Sequence, residues 1–159
     1  MPNTSPSATP PLTVPHREQL QAADCLAACA AMVLDFLGGT EPYARLLSIL
    51  GISPIGAPRR NILRLARLGV EVEYREATLS ILARYLQAGQ PVMAFVDTAE
   101  LSYWPVSTNH AVVVVGIDEE TVWINDPAFP DAPITVSTAE FDLAWFNGDN
   151  TCAIIRASA

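Results

Sequence analysis

The feature that most constrains this chain is a change of hydrophobic period near residue 70. Before it, apolar residues recur at helical spacing; after it, they alternate or run together as strands do. Leu26, Cys29, Val33 and Leu37 predict a helix from Asp24 to about Leu37, with Asp24 suited to the N-cap and Gly38-Gly39 as the stop. A second short helix is expected with Thr40 as its candidate cap, Pro42 in the first turn and Gly51 at its end. A third is expected from Pro58 to Leu68, stopped by Gly69. Then Val70, Val72 and Tyr74 alternate with Glu71, Glu73 and Arg75, the pattern of a half-exposed strand. Thr78 to Ala88 reads as a fourth helix, closed by Gly89. Val92–Val96, His110–Ile117, Val122–Asn125 and Cys152–Arg156 read as strands. Ser137 and Glu140 are spaced as a capping box for a brief helix between the last two. Helices first and strands later predict an α+β fold, N-terminal helices packed on a mostly antiparallel β-sheet.

A chain of 159 residues fits one domain. Residues 1–13, rich in Pro, Ser and Thr and without a charged side chain, read as a disordered tail, and residues 14–159 as one compact domain. The net charge of −8 argues against nucleic-acid binding, which shows as a basic excess, and against a lipid-surface role. The N-terminus has neither the basic start nor the apolar core of a secretory signal, and the apolar stretch Ala111–Val115 is too short to span a bilayer. Three cysteines imply no disulfide framework, which points to the cytoplasm.

The chemistry starts at Cys25, one residue inside the first helix, where unpaired backbone N–H groups and the macrodipole favour negative charge. A thiolate is a nucleophile. Position alone leaves this reading beside a blander one, a buried structural cysteine. His110 opens one strand and Asp126 closes the next, with a turn centred near Asp118-Glu119 between them. Residues equidistant from such a turn face each other across an antiparallel pair. His110 and Asp126 are therefore expected as opposite or diagonal neighbours, the relation a base and its orienting carboxylate require. A strand-end histidine and an ordinary Asp-Pro turn would look the same. Gln19, six residues before Cys25, could donate to an oxyanion together with the Cys25 amide, although loop glutamines are mostly solvated and Gln21 is a nearby competitor.

Taken in order, Gln19, Asp24-Cys25, the helix Ala27–Leu34, Gly89-Gln90-Pro91-Val92, His110–Gly116 and Asn125-Asp126-Pro127 form a set that no single motif makes specific. The set resembles the papain-like cysteine peptidases that remove double-glycine leaders from bacteriocin precursors, together with their free-standing relatives. The resemblance runs from Val14 to about Trp145. It implies a papain-like domain with Cys25 as nucleophile, His110 as base, Asp126 as orienting residue and Gln19 in the oxyanion hole, acting on a peptide or protein substrate. Leu26 stands where the family often has glycine. The membrane spans and ATPase of transporter-fused members are missing, as is a Gly-rich phosphate loop.

Beyond the triad, Cys29 lies one turn after Cys25 and reads as core. Cys25, Cys29 and a histidine make a poor zinc set, so no metal and no cofactor are expected. Arg60, Arg64 and Arg67 form a basic stripe, either a solvated face or a dock for an acidic peptide. The aromatic segment Leu101–Val106 is either core or the wall of a substrate groove. Leu26, Trp104 and Asn109 are assigned to substrate contacts. The expected function is peptide-bond hydrolysis. A non-proteolytic peptide-binding adaptor, or a deamidase or transamidase using the same triad, would share the fold.

Overall fold

A computed structural model describes residues 9–158 of the chain. Six strands form one sheet in the order β1-β6-β2-β3-β4-β5, and every neighbouring pair is antiparallel. The strands are β1 (Val70–Glu76), β2 (Val92–Asp97), β3 (Asn109–Ile117), β4 (Thr121–Asn125), β5 (Ile134–Ser137) and β6 (Thr151–Ala157). The helices are α1 (Cys25–Phe36), α2 (Tyr43–Leu50), α3 (Leu79–Gln87) and α4 (Thr138–Phe146), with a 3-10 segment at Arg59–Leu68. The expected α+β fold is the one observed.

Its layering explains the sequence patterns. α1, α2 and the 3-10 segment pack with Met93, Phe95, Ala111, Val113 and Val115 in one core. α3 and α4 pack with Val92, Ala94, Val96, Val112 and Val114 in a second. β3 is thus covered on both faces, which is why it reads as a continuous apolar run and not as an alternation. The helices lie on both faces of the sheet, with α1, α2 and the 3-10 segment on one and α3 and α4 on the other.

Several local expectations change. Asp24 precedes α1, but its carboxylate makes no capping bond; it is buried and accepts from the Tyr43 hydroxyl at 3.3 Å. α2 is preceded by Pro42, not capped by Thr40. The third helix winds as 3-10 throughout. β5 was not anticipated: it is a four-residue edge strand directly after Pro133, too short to show a period. The Ser137 hydroxyl accepts from the Glu140 amide at 3.1 Å, as a capping box predicts. The Glu140 carboxylate instead accepts from the Ser102 amide at 3.2 Å, tying α4 to the loop before β3.

Of the expected N-terminal tail, residues 1–8 lie outside the described residues. Residues 11–19 form an arm along β3 and β4. Leu12 N donates to Val115 O at 2.8 Å, and Asn125 Nδ2 to Val14 O at 3.1 Å. Pro11 sits over Gly116, where an added Cβ would come within 3.2 Å of it and within 3.1 Å of Trp123. That close approach favours glycine, at the point where the β3–β4 register shifts.

Candidate active site

Three segments converge at one end of the sheet: the start of α1, the start of β3, and the residues that follow β4. Cys25 is the half-exposed cysteine of the three; Cys29 and Cys152 are buried. Cys25, Leu26, Asn109, His110 and Ala111 line one cleft of about 420 Å³ with Ala57, Pro58, Arg59, Arg60, Tyr74, Phe95 and Val96. Leu26 and Asn109 therefore border the space beside the thiol.

His110 and Asp126 meet as diagonal neighbours. Val113 pairs with Asn125, so Asp126 continues opposite Val112, and His110 lies two positions along the same face. His110 Nε2 is 2.7 Å from Asp126 Oδ1. The carboxylate is fully buried and both its oxygens are occupied. Oδ1 also accepts from the Ala128 amide at 2.9 Å, and Oδ2 accepts from the Tyr103 hydroxyl at 2.7 Å and Trp104 Nε1 at 2.9 Å. Four donors on a buried carboxylate satisfy it as an anion, and each such bond stabilises by roughly 1.5–3 kcal/mol.

The electrostatics follow. Burial is the largest influence on His110 and opposes its charged form. The hydrogen bond and charge of Asp126, with a contribution from the adjacent Cys25, outweigh it and raise the imidazole to about 9. Burial likewise pushes Asp126 up, but its bonds to His110, Ala128 and Trp104 win and hold it below the usual carboxylate range. Tyr103 is raised by burial and then by the Asp126 charge, so it remains a hydroxyl donor. Cys29, wholly buried with its thiol 3.3 Å from Ala111 O, is pushed well up by desolvation. It is core, as expected.

Trp104 lies on the Asp126 side of the imidazole. It does not line the cleft with Cys25; its indole donates to Asp126 and stands edge-on to the His110 ring, centroids 4.7 Å apart. Phe129 packs against both Trp104 and Tyr103. Thr98, fully buried, ties this loop: its hydroxyl donates to Val106 O at 2.7 Å and accepts from the Thr108 amide at 2.9 Å. Tyr103 was not among the expected site residues. Its signal was the unusual Tyr-Trp pair in a loop just before the histidine.

Gln19 is held close to the same end, its amide N donating to Pro127 O at 2.7 Å. Its side chain does not line the cleft. Nε2 donates to Ala22 O at a long 3.3 Å, and Oε1 is buried with no partner among the described residues. An unsatisfied buried oxygen costs about 1–3 kcal/mol, so this amide is held less firmly than anything around Asp126. Among the described residues no cluster of His, Cys, Asp and Glu could hold a metal ion, and no helix is long and apolar enough to cross a membrane.

The fold matches those of known proteins. The family model "Peptidase C39 family" matches residues 13–149. A C39-like peptidase from Bacillus anthracis is similar in structure at TM-score 0.76 and 20% identity, over 95% of this chain and 100% of that one. A double glycine motif protease from an AMS/PCAT transporter, solved in complex with the leader peptide, matches at TM-score 0.72 and 24% identity, over 93% and 94%. The peptidase domain of Streptococcus ComA, a bifunctional ABC transporter involved in a quorum sensing pathway, matches at TM-score 0.75 and 20% identity, over 92% and 100%. No curated protein matches the chain in sequence. With the family model covering most of its length, this chain belongs to the peptidase C39 family and is a papain-like cysteine peptidase.

Proposed function

We propose that the chain hydrolyses peptide bonds through Cys25, His110 and Asp126, within a single peptidase domain spanning residues 14–159. The observation that carries this reading is the buried His110–Asp126 pair at 2.7 Å, opening on a cleft shared with the half-exposed Cys25. Asp126 occupies Nε2 of the imidazole, which leaves Nδ1 to face the thiol. Asp126 fixes the ring and stabilises the imidazolium that forms when His110 takes the Cys25 proton.

The thiolate sulfur then bonds to the scissile carbonyl carbon, and the carbonyl electrons move to oxygen. The Cys25 amide and Gln19 Nε2 donate to that oxyanion; the 3.3 Å bond from Gln19 to Ala22 O is weak enough to be exchanged for it. Collapse breaks the C–N bond, and His110 returns its proton to the leaving amine. Water, deprotonated by His110, hydrolyses the thioester and frees Cys25. The substrate is a peptide, and the double-glycine leader named for a structural neighbour is the first class to try. A free thiol as nucleophile fits a reducing compartment such as the cytoplasm.

The test is turnover of a peptide library containing Gly-Gly bonds, followed by mass spectrometry. Cleavage that stops in Cys25→Ala supports peptide hydrolysis. Glutamine-to-acid conversion or amine incorporation without cleavage would replace hydrolysis with deamidation or transamidation. Binding without any product would make the domain an adaptor.

A further inference from the structure

Arg60, Arg64 and Arg67 look like one basic stripe in the sequence, but the 3-10 winding of Arg59–Leu68 divides it. At about three residues per turn, positions three apart stack on one another. Ile62 and Leu65 form the buried face, Arg64 and Arg67 share a second, and Arg60 stands on the third. Of these three arginines only Arg60 lines the cleft that holds Cys25 and His110.

Its neighbour Arg59 lines the cleft too, but that guanidinium is already committed. It donates to Gly148 O at 2.8 Å, pairs with Asp149 at 2.8 Å, and lies over the Phe95 ring at 5.5 Å. Gly148, which supplies that carbonyl, lies tight against β2, where any Cβ would fall 1.9 Å from Phe95 O. Arg60 is exposed and forms no ion pair among the described residues. The chain has 17 acidic residues against nine basic ones, yet no carboxylate is among the described residues lining this cleft. An acidic protein thus presents an unpaired cation, beside the apolar walls of Ala57, Pro58, Tyr74 and Phe95, in the space next to its thiol. Low-dielectric walls focus such a charge.

We propose that Arg60 is a specificity-determining residue that receives an Asp or Glu side chain of the peptide substrate. The acidic residue lies within roughly three positions of the scissile bond, because an extended peptide advances about 3.4 Å per residue and both groups border one cleft of about 420 Å³. The inference rests on the peptidase reading for what lies in the cleft, but it can be tested without turnover.

Fluorescent Gly-Gly peptides, each carrying Glu, Gln or Lys at one scanned position, are titrated onto Cys25→Ala protein by anisotropy at low and high salt. The expected result is one position where Glu binds about fivefold tighter than Gln, a preference that shrinks at high salt. Arg60→Gln should bring that Glu-to-Gln ratio close to one, and Arg60→Glu should invert it in favour of Lys. No Glu preference at any position, or one that survives Arg60→Gln undiminished, overturns the proposal. Turnover by the wild-type protein is scored separately. Cleavage without the preference defeats Arg60 alone, whereas the preference without cleavage defeats the peptidase reading and leaves the carboxylate site standing.

Discussion

The two halves of the site are built differently. Around Asp126 both carboxylate oxygens are doubly hydrogen-bonded, and the loop supplying two of the donors is itself tied by Thr98 and Glu140. Around Cys25 the ties are few. The thiol borders solvent, and the side chain of Gln19 makes one long hydrogen bond and leaves its buried oxygen unsatisfied. The contrast fits the acyl transfer proposed above. The acid–base half must hold one geometry and one protonation state through every step. The nucleophile and oxyanion half must admit a peptide and acquire its last donor only when charge develops.

This contrast sets an order of expected effects. Cys25→Ala should abolish cleavage, by about 10⁶-fold on the scale of nucleophile loss in a hydrolytic triad, measured with the best library peptide. Asp126→Asn comes next, with turnover down by roughly 10²–10⁴. It also removes the charge that opposes burial of His110, so the alkaline limb of kcat/KM, expected near pH 9 in the wild type, should move to lower pH. An unmoved limb would mean that Asp126 does not set the imidazole. Gln19→Ala should lower kcat by about 10²–10³ with KM little changed, because its donor matters only once the oxyanion forms.

Trp104→Phe removes one of the two donors at Oδ2 and should cost about tenfold in kcat/KM, with a measurable shift of the same alkaline limb. A change in KM alone would return Trp104 to the substrate wall. The smallest effect is on stability. His110 is raised above its unfolded value, so its pairing contributes fully below about pH 6.5 and is lost as pH rises through about 9. The Tm difference between wild type and Asp126→Asn should therefore be greatest near pH 5–6.5 and shrink above it.

Much of this was legible in the residues. The turn at Asp118 was readable because that carboxylate accepts from the Glu120 and Thr121 amides, a local arrangement any Asp can encode. Carried straight on, the register beside the turn (Ile117 opposite Val122) would set Asp126 opposite Val113, on the other face from His110; the one-residue shift near Gly116 sets it opposite Val112 instead, diagonal to His110 on the same face. What could not be read depended on distant contacts. Trp104 sits on the Asp126 side because Thr98, Glu140 and Phe129 hold its loop there. Asp24 turned from capping α1 to Tyr43, nineteen positions away. The 3-10 winding of Arg59–Leu68 changed which arginine meets the cleft, since a stripe drawn at helical spacing does not survive three residues per turn.

The most direct test is site-resolved alkylation by iodoacetamide, read by peptide mapping in wild type and His110→Ala. Cys25 should react far faster than the buried Cys29 and Cys152, and its lead should collapse without the imidazole. Labelling of Cys29 or Cys152 with Cys25 spared, or a Cys25 rate indifferent to His110, would contradict the account.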